Sequence, residues 1–158
     1  MGRREIRETI FRLLFRVAFV GVDEMGEQTA CFFADTEGQA ALSDGDYIRD
    51  KLQNILDKLP ELDDILAGQI EGWEIDRIGK VDLAILRLAL FELLHDPDIP
   101  EGVAINEAVE LAKKYGQDNS RAFVNGVLSK ITRANAGTEI EDMQDGEPAP
   151  PEVVKSGL

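Results

Sequence analysis

The 158-residue chain has one cysteine, one histidine, one tryptophan, six prolines and 6% aromatic residues. The lone cysteine, Cys31, can form no internal disulfide, which excludes a disulfide-stapled scaffold and points to a reducing compartment, the cytoplasm. With His95 as the lone histidine, zinc lacks its usual nitrogen ligands, and no carboxylates recur at a ligand spacing, so neither metal nor cofactor is expected. No nucleophile and base pair stands out, and no glycine-rich phosphate loop follows a strand, because strand patterns are almost absent. The reading is therefore not an enzyme. Long apolar runs are missing too: LAILRLALFELL at residues 83–94 is short and interrupted by Arg87 and Glu92, so it reads as a core helix rather than a membrane span. Basic residues are the scarce charge, 17 against 31 acidic, a net charge of −14. Taken alone, that repels a phosphate backbone.

The charge is nevertheless divided. Residues 2–16, GRREIRETIFRLLFR, hold Arg3, Arg4, Arg7, Arg12 and Arg16 against Glu5 and Glu8, a local +3; the remaining 12 basic and 29 acidic residues carry −17. Acids and interspersed arginines make this segment unlike a targeting peptide, so it is expected to be retained. A length of 158 residues suits one globular domain with an extension. The domain is read as residues 1–137, and residues 138–158, acidic and proline-containing, as a disordered tail.

Helical periodicity recurs along the chain. A first helix over residues 3–20 puts Ile6, Ile10, Leu13 and Val17 on its core face. A loop at residues 21–26 precedes a short helix near residues 31–34, where Cys31 is expected to pack. Ser43 followed by Asp46 resembles a capping box, opening a helix that turns Tyr47, Ile48, Leu52, Ile55, Leu56 and Leu59 inward, breaks or kinks at Pro60 and resumes through Leu66. Residues 76–94 are apolar nearly all round and predict a central helix. After HDPDIP, the segment VAINEAVELAKKYG turns Ile105, Ala108, Val109 and Ala112 inward, pairs Glu110 with Lys114 and stops at Gly116. A last helix, capped within DNS, buries Val124, Val127, Leu128 and Ile131 and tolerates Gly126 at a cost of about 1 kcal/mol.

Arg3, Arg4 and Arg7 stand at a helix N-terminus, where each opposes the helix dipole by about 0.3 to 1 kcal/mol. Arg4, Phe11 and Phe15 fall within about 40° on the helical wheel, with Arg12 and Arg16 further round. Cations beside aromatic faces are what single-stranded RNA binding uses, since phosphates meet the guanidinium groups and bases stack on the rings at about 1 to 3 kcal/mol each. The alternative is a solvated face in which Glu8 pairs with Arg12 and the phenylalanines are core. A second cluster, Lys113, Lys114 and Arg121 around Tyr115 and Phe123, is open to the same two readings. His95, at a helix C-terminus, reads as a favourable partial charge there.

At AINEAVELAKKYG followed by FVNGVL the sequence resembles the NusB family of transcription antitermination factors. The similarity extends back through VDLAILRLALFELL to the arginine-rich RETIFRLLF. The resemblance implies an all-α fold of two small packed bundles, about six or seven helices, without catalytic activity. It implies pairing with the ribosomal protein NusE to hold the boxA element of nascent RNA, notably ribosomal RNA, so that RNA polymerase passes terminators. By position the arginine-rich motif falls on Arg3, Arg4 and Arg7, an RNA-touching aromatic on Phe15, and further aromatics on Tyr115 and Phe123. Asn119 stands where the family has an acid close to RNA, and an amide does not repel phosphate. Asp76 and Asp82 match acidic positions that face NusE. Glu5 thins the basic motif, so RNA affinity of the chain alone is expected to be low and salt-dependent, with a basic partner meeting the acidic remainder. Two other readings stand beside this one: a helical interaction module or homodimer that buries the arginine-bearing helix without RNA, and a detached specificity module of an RNA methyltransferase.

Overall fold

The computed structural model describes residues 2–34, 44–70 and 78–140. Seven α-helices appear among them: α1 Arg3–Phe15, α2 Val17–Val20, α3 Met25–Ala34, α4 Gly45–Gln69, α5 Lys80–His95, α6 Glu101–Tyr115 and α7 Ser120–Ile140. The described residues contain no strand, in keeping with the all-α class. The chain divides into two compact units, Met1–Glu61 and Leu62–Leu158, and α4 crosses the division.

In the first unit the expected single helix over residues 3–20 is interrupted at Arg16. The Arg16 N–H donates to Leu13 O at 3.1 Å, and Phe19 and Val20 donate back to Arg16 O at 2.9 and 3.1 Å, a tightened turn that offsets α2 from α1. Gly21, at φ 82, then ends α2 in a conformation that a side chain would strain. The predicted loop is mostly helical, with a 3-10 turn at Val22–Glu24 followed directly by α3. α3 buries Met25, Phe32 and Phe33 and leaves Cys31 exposed, against the packing role expected for it. Arg49 of α4 lies over the Phe33 ring at 4.2 Å. Gly45 is buried under this stack, where an added Cβ would come within 3.1 Å of Arg49 Nη1.

α4 does not break at Pro60. Pro60 is exposed, and Leu59 and Leu62 on either side of it are buried, so tertiary anchoring outweighs the missing hydrogen bond. Tyr47 is exposed rather than inward, while Ile48, Leu52, Ile55, Leu56 and Leu59 are buried as the periodicity requires. Ser43 lies outside the described residues.

The second unit is organised by α5, whose residues from Leu83 to Glu92 are all buried, as an apolar circumference predicts. Among the described residues the helix starts at Lys80, after the non-helical residues 78–79; residues 76–77 of the expected helix lie outside the described residues. α5, α6 and α7 pack on one another pairwise. Arg87, which the sequence shows only as an interruption, forms a two-pronged ion pair: its Nε donates to Asp63 Oδ1 at 2.9 Å and its Nη2 to Asp63 Oδ2 at 2.8 Å. Lys130 of α7 donates to Gln69 O at 3.2 Å and so satisfies a carbonyl at the C-terminus of α4. The core row Val124, Val127, Leu128 and Ile131 is buried as predicted. On α6 the buried face is Ala104, Ala108, Leu111 and Ala112, so Ile105 and Val109 sit at its edge, half-buried. α7 continues to Ile140, three residues into the predicted tail, and residues 141–158 lie outside the described residues.

Candidate nucleic-acid interface

At the start of α1, Arg3 and Arg4 are exposed. Glu5, which thins the basic motif, accepts the Gly2 N–H at 2.9 Å and so caps an orphan donor of the helix. Its negative charge also sits where the helix dipole favours it, which offsets part of the cost of its arginine neighbours. Arg7 is 9% exposed, so it belongs to the wall of the bundle and not to the open basic face. Its apolar stem is covered by neighbours.

Phe11, Phe15 and Phe19 form an aromatic ladder at i,i+4 spacing. Ring centroids are 6.4 Å apart for Phe11 and Phe15, and 5.0 Å apart in an edge-to-face pair for Phe15 and Phe19. The ladder climbs from core to solvent: Phe11 is 3% exposed, Phe15 half-buried and Phe19 62% exposed. Phe11 is thus core, because the turn below it is covered, and Phe15 is the first ring of the row with an open edge. Phe19 was not singled out from the sequence; the same i,i+4 spacing carried one step further would have found it. Arg16 is half-buried and turned toward α3, donating to Gln28 Oε1 at 3.3 Å with its guanidinium 5.7 Å from the Phe32 ring centre. Arg12 is exposed. The five arginines therefore divide into Arg3, Arg4 and Arg12 on the surface and Arg7 and Arg16 within the packing.

In the second unit the predicted residues gather at the turn between α6 and α7. Tyr115 ends α6 half-buried, with Lys114 Nζ 5.5 Å from its ring centre. Lys113 pairs with Glu110 at 3.9 Å on the helix surface. Asn119 is exposed, and its carbonyl accepts the Phe123 N–H at 3.1 Å, opening α7. Phe123, only 7% exposed, is part of the buried row with Val124 and Val127; its ring supports the turn and offers no free face for stacking. Gly116 stops α6 as predicted, though with φ −91 rather than a positive value. The reason for glycine is space: a Cβ there would lie 2.5 Å from Ser120 Cβ.

Ser120 is 2% exposed, and its Oγ accepts the Gln117 N–H at 2.9 Å. Asp82 stands in the first turn of α5. Asp82 is half-buried, and that desolvation raises its pKa above the ordinary value of 3.8, opposed by the Ser120 hydroxyl. Asp76 lies outside the described residues. Alongside the turn, Ile105, Asn106 and Val109 of α6 and Arg121 and Asn125 of α7 line an open groove of about 590 Å³. Among the described residues no group of three His, Cys, Asp or Glu side chains comes together to hold a metal ion, and no helix is long and apolar enough to cross a membrane.

The NusB family model matches residues 4–133. The transcription antitermination protein NusB of Lachnoclostridium phytofermentans is 49% identical over 131 residues, which are 83% of this chain and 98% of that protein. The crystal structure of T. maritima NusB superposes with a TM-score of 0.70 at 33% identity, covering 90% of this chain and 98% of that one. The structure of antitermination factors NusB and NusE in complex with dsRNA superposes at 0.67 with 28% identity, covering 84% and 96% of the respective chains.

Proposed function

The chain belongs to the NusB family, and on that premise we propose that it is an RNA-binding transcription antitermination factor which acts in the cytoplasm by assembly rather than by catalysis. It pairs with a basic ribosomal protein of the NusE kind and with it holds boxA-type RNA of a nascent transcript, in reach of the RNA polymerase elongation complex. Relatives at up to 49% identity bear the antitermination name, and a neighbour of the same fold is described with NusE and RNA.

The observation that carries the reading is the exposed Arg3 and Arg4 pair at a helix N-terminus in a chain of net charge −14. Cations placed where they oppose the dipole, in a protein otherwise repellent to phosphate, are best accounted for by a polyanionic ligand. The contacting set is Arg3, Arg4 and the open edge of Phe15 on the first unit, with Tyr115 and Asn119 on the second. Arg7 and Phe123 support those positions from within. Asp82, and Asp76 by the resemblance, serve the protein partner.

The test is binding of a short boxA-type RNA, with and without the basic partner, at two salt concentrations, for the native chain and for Arg3→Glu with Arg4→Glu. Binding that is tighter with the partner, falls with salt and is lost on charge reversal is the expected result. Equal binding by the reversed chain overturns it. One observation favours the RNA-free homodimer, the 62% exposure of Phe19 beside the likewise exposed Val22. A free chain that sediments as a dimer which RNA does not dissociate would select that reading.

A further inference from the structure

The open groove alongside the turn between α6 and α7 lies wholly within the second unit, and its volume of about 590 Å³ is that of clefts which hold a ligand. Ile105 and Val109, both half-buried, and Ala122 give it an apolar lining. Four exposed polar side chains line it as well: the amides of Asn106 and Asn125, the Arg121 guanidinium and the Asp118 carboxylate. Among the described residues none of these four side chains takes part in a hydrogen bond or ion pair. Two amides that donate and accept, one cation and one anion beside an apolar strip suit a peptide backbone with its own mixed charges. A phosphate chain suits it less, because Asp118 repels it.

The chain itself carries a segment of matching pattern. Beyond α7, residues 148–155 read PAPPEVVK, outside the family match that ends at residue 133. Proline fixes φ near −65° and lacks an N–H, so such a sequence favours polyproline II, with three residues per turn and every carbonyl left free. At that period Pro151 and Val154 share one face, Pro150 and Val153 a second, and Glu152 and Lys155 the third. Two faces are therefore apolar, and the third holds one acid and one base about 9 Å apart along the axis. In the groove the cation and the anion, Arg121 and Asp118, also stand three positions apart in the chain. The reach is sufficient. Arg121 lies 19 positions before Ile140, about 28 Å along α7, and the 11 residues 141–151 span up to about 35 Å when extended.

We propose that residues 150–155 dock in the α6–α7 groove as a polyproline II strand. Pro151 and Val154 lie on Ile105, Val109 and Ala122, Asn106 and Asn125 donate to free carbonyls of the segment, Glu152 pairs with Arg121 and Lys155 with Asp118. The groove is thus a site for the chain's own C-terminal segment, and while the segment is docked no other peptide can enter. This goes beyond the RNA reading and does not depend on it.

The experiment uses the full chain with Cys31→Ser and Ser156→Cys, a nitroxide label on the new cysteine and nitrogen-15 throughout. The label broadens the side-chain amide signals of Asn106 and Asn125 and the backbone signals of residues 121–125, relative to the same chain with the label reduced. Arg121→Glu lowers the ratio of docked to open segment about two- to fivefold, the size of one exposed ion pair, and Arg121→Glu with Glu152→Arg restores it. Pro150→Gly with Pro151→Gly lowers it about fivefold, because the open segment gains backbone freedom. Val154→Asp abolishes the broadening, since it sets a charge against the apolar lining. Should Arg121→Glu fail to fold, Glu152→Arg tests the same pair from the other side. Groove signals that ignore the label, or broadening indifferent to Arg121→Glu and to Val154→Asp, overturn the proposal. Equal broadening in a mixture of labelled nitrogen-14 chain with unlabelled nitrogen-15 chain assigns the groove to the segment of a second copy and overturns it too. So do groove signals that ignore the label yet shift when a short boxA-type RNA is added, which would assign the groove to RNA.

Discussion

The N-terminus of α1 and the α5 region of the second unit treat the same kind of charge in opposite ways. On α1, Arg3 and Arg4 stand exposed, where they cost helix stability. On α5, Arg87 is drawn into the helix packing and satisfied by both oxygens of Asp63. Asp82 in the same helix is half-buried. The contrast teaches that charge in this protein is kept for a ligand where the fold leaves it at the surface, and is architectural where geometry closes a buried hydrogen-bonded pair around it. Arg7 and Arg16 show the border between the two within α1 itself, since both are arginines of the basic segment that the packing has taken over.

The sharpest way to break this comparison is at Arg87. Arg87→Ala strands a partly buried Asp63 carboxylate and opens a hole beside α5, so a loss of about 3 kcal/mol is expected in urea unfolding. A loss near zero would place Arg87 with the exposed arginines. Next in size is Gly116→Ala, whose Cβ would meet Ser120 at 2.5 Å. Relief of that overlap costs about 1 to 3 kcal/mol and displaces the turn, to be read as a lowered urea midpoint together with weaker RNA binding.

Reversal of Arg3 and Arg4 to Glu sharpens the other side. RNA affinity at low salt is expected to fall at least about tenfold, and the slope of log affinity against log salt to flatten by about 1.4 for two lost phosphate contacts. Folding stability should not fall, and should rise by a few tenths of a kcal/mol, because acids replace bases in the first turn. A smaller effect is expected from pH at Asp82. Its folded pKa is raised, so the native state binds the proton more tightly than the unfolded chain does. The stability this confers is complete below the unfolded value and is lost as pH rises through the folded one. Asp82→Asn removes this dependence, so its urea midpoint relative to the native chain should climb over that pH window and then level off. A difference that stays flat with pH would mean that burial does not perturb Asp82.

Much of this was readable in advance, and the failures have a common cause. The inward rows of α7 and the apolar circumference of α5 follow from helical periodicity, because such residues must be buried whichever neighbour covers them. Periodicity does not say how wide the cover is. Phe123 is expected at the RNA surface by the resemblance, and for Phe11 the sequence leaves surface and core both open; neighbours reach far enough to bury both. Tyr47 was expected inward and lies beyond the cover, as does Cys31. Pro60 breaks a helix in isolation, but buried leucines on both sides hold α4 together across it. The interruption at Arg16 has no local signal, since neither proline nor glycine stands there; it goes with the turn of Arg16 toward Gln28 and Phe32 of α3.

The amino-acid sequence by itself determined the helical class, the basic first turn against an acidic remainder, and the motifs that place the chain in its family, because all three are properties of composition and short-range spacing. The tertiary structure decided which charges stay at the surface and which are drawn into buried pairs, and it joined Arg87 to Asp63 across 24 positions of chain. Such pairings depend on desolvation and on donor geometry between helices, and neither quantity exists until the helices pack.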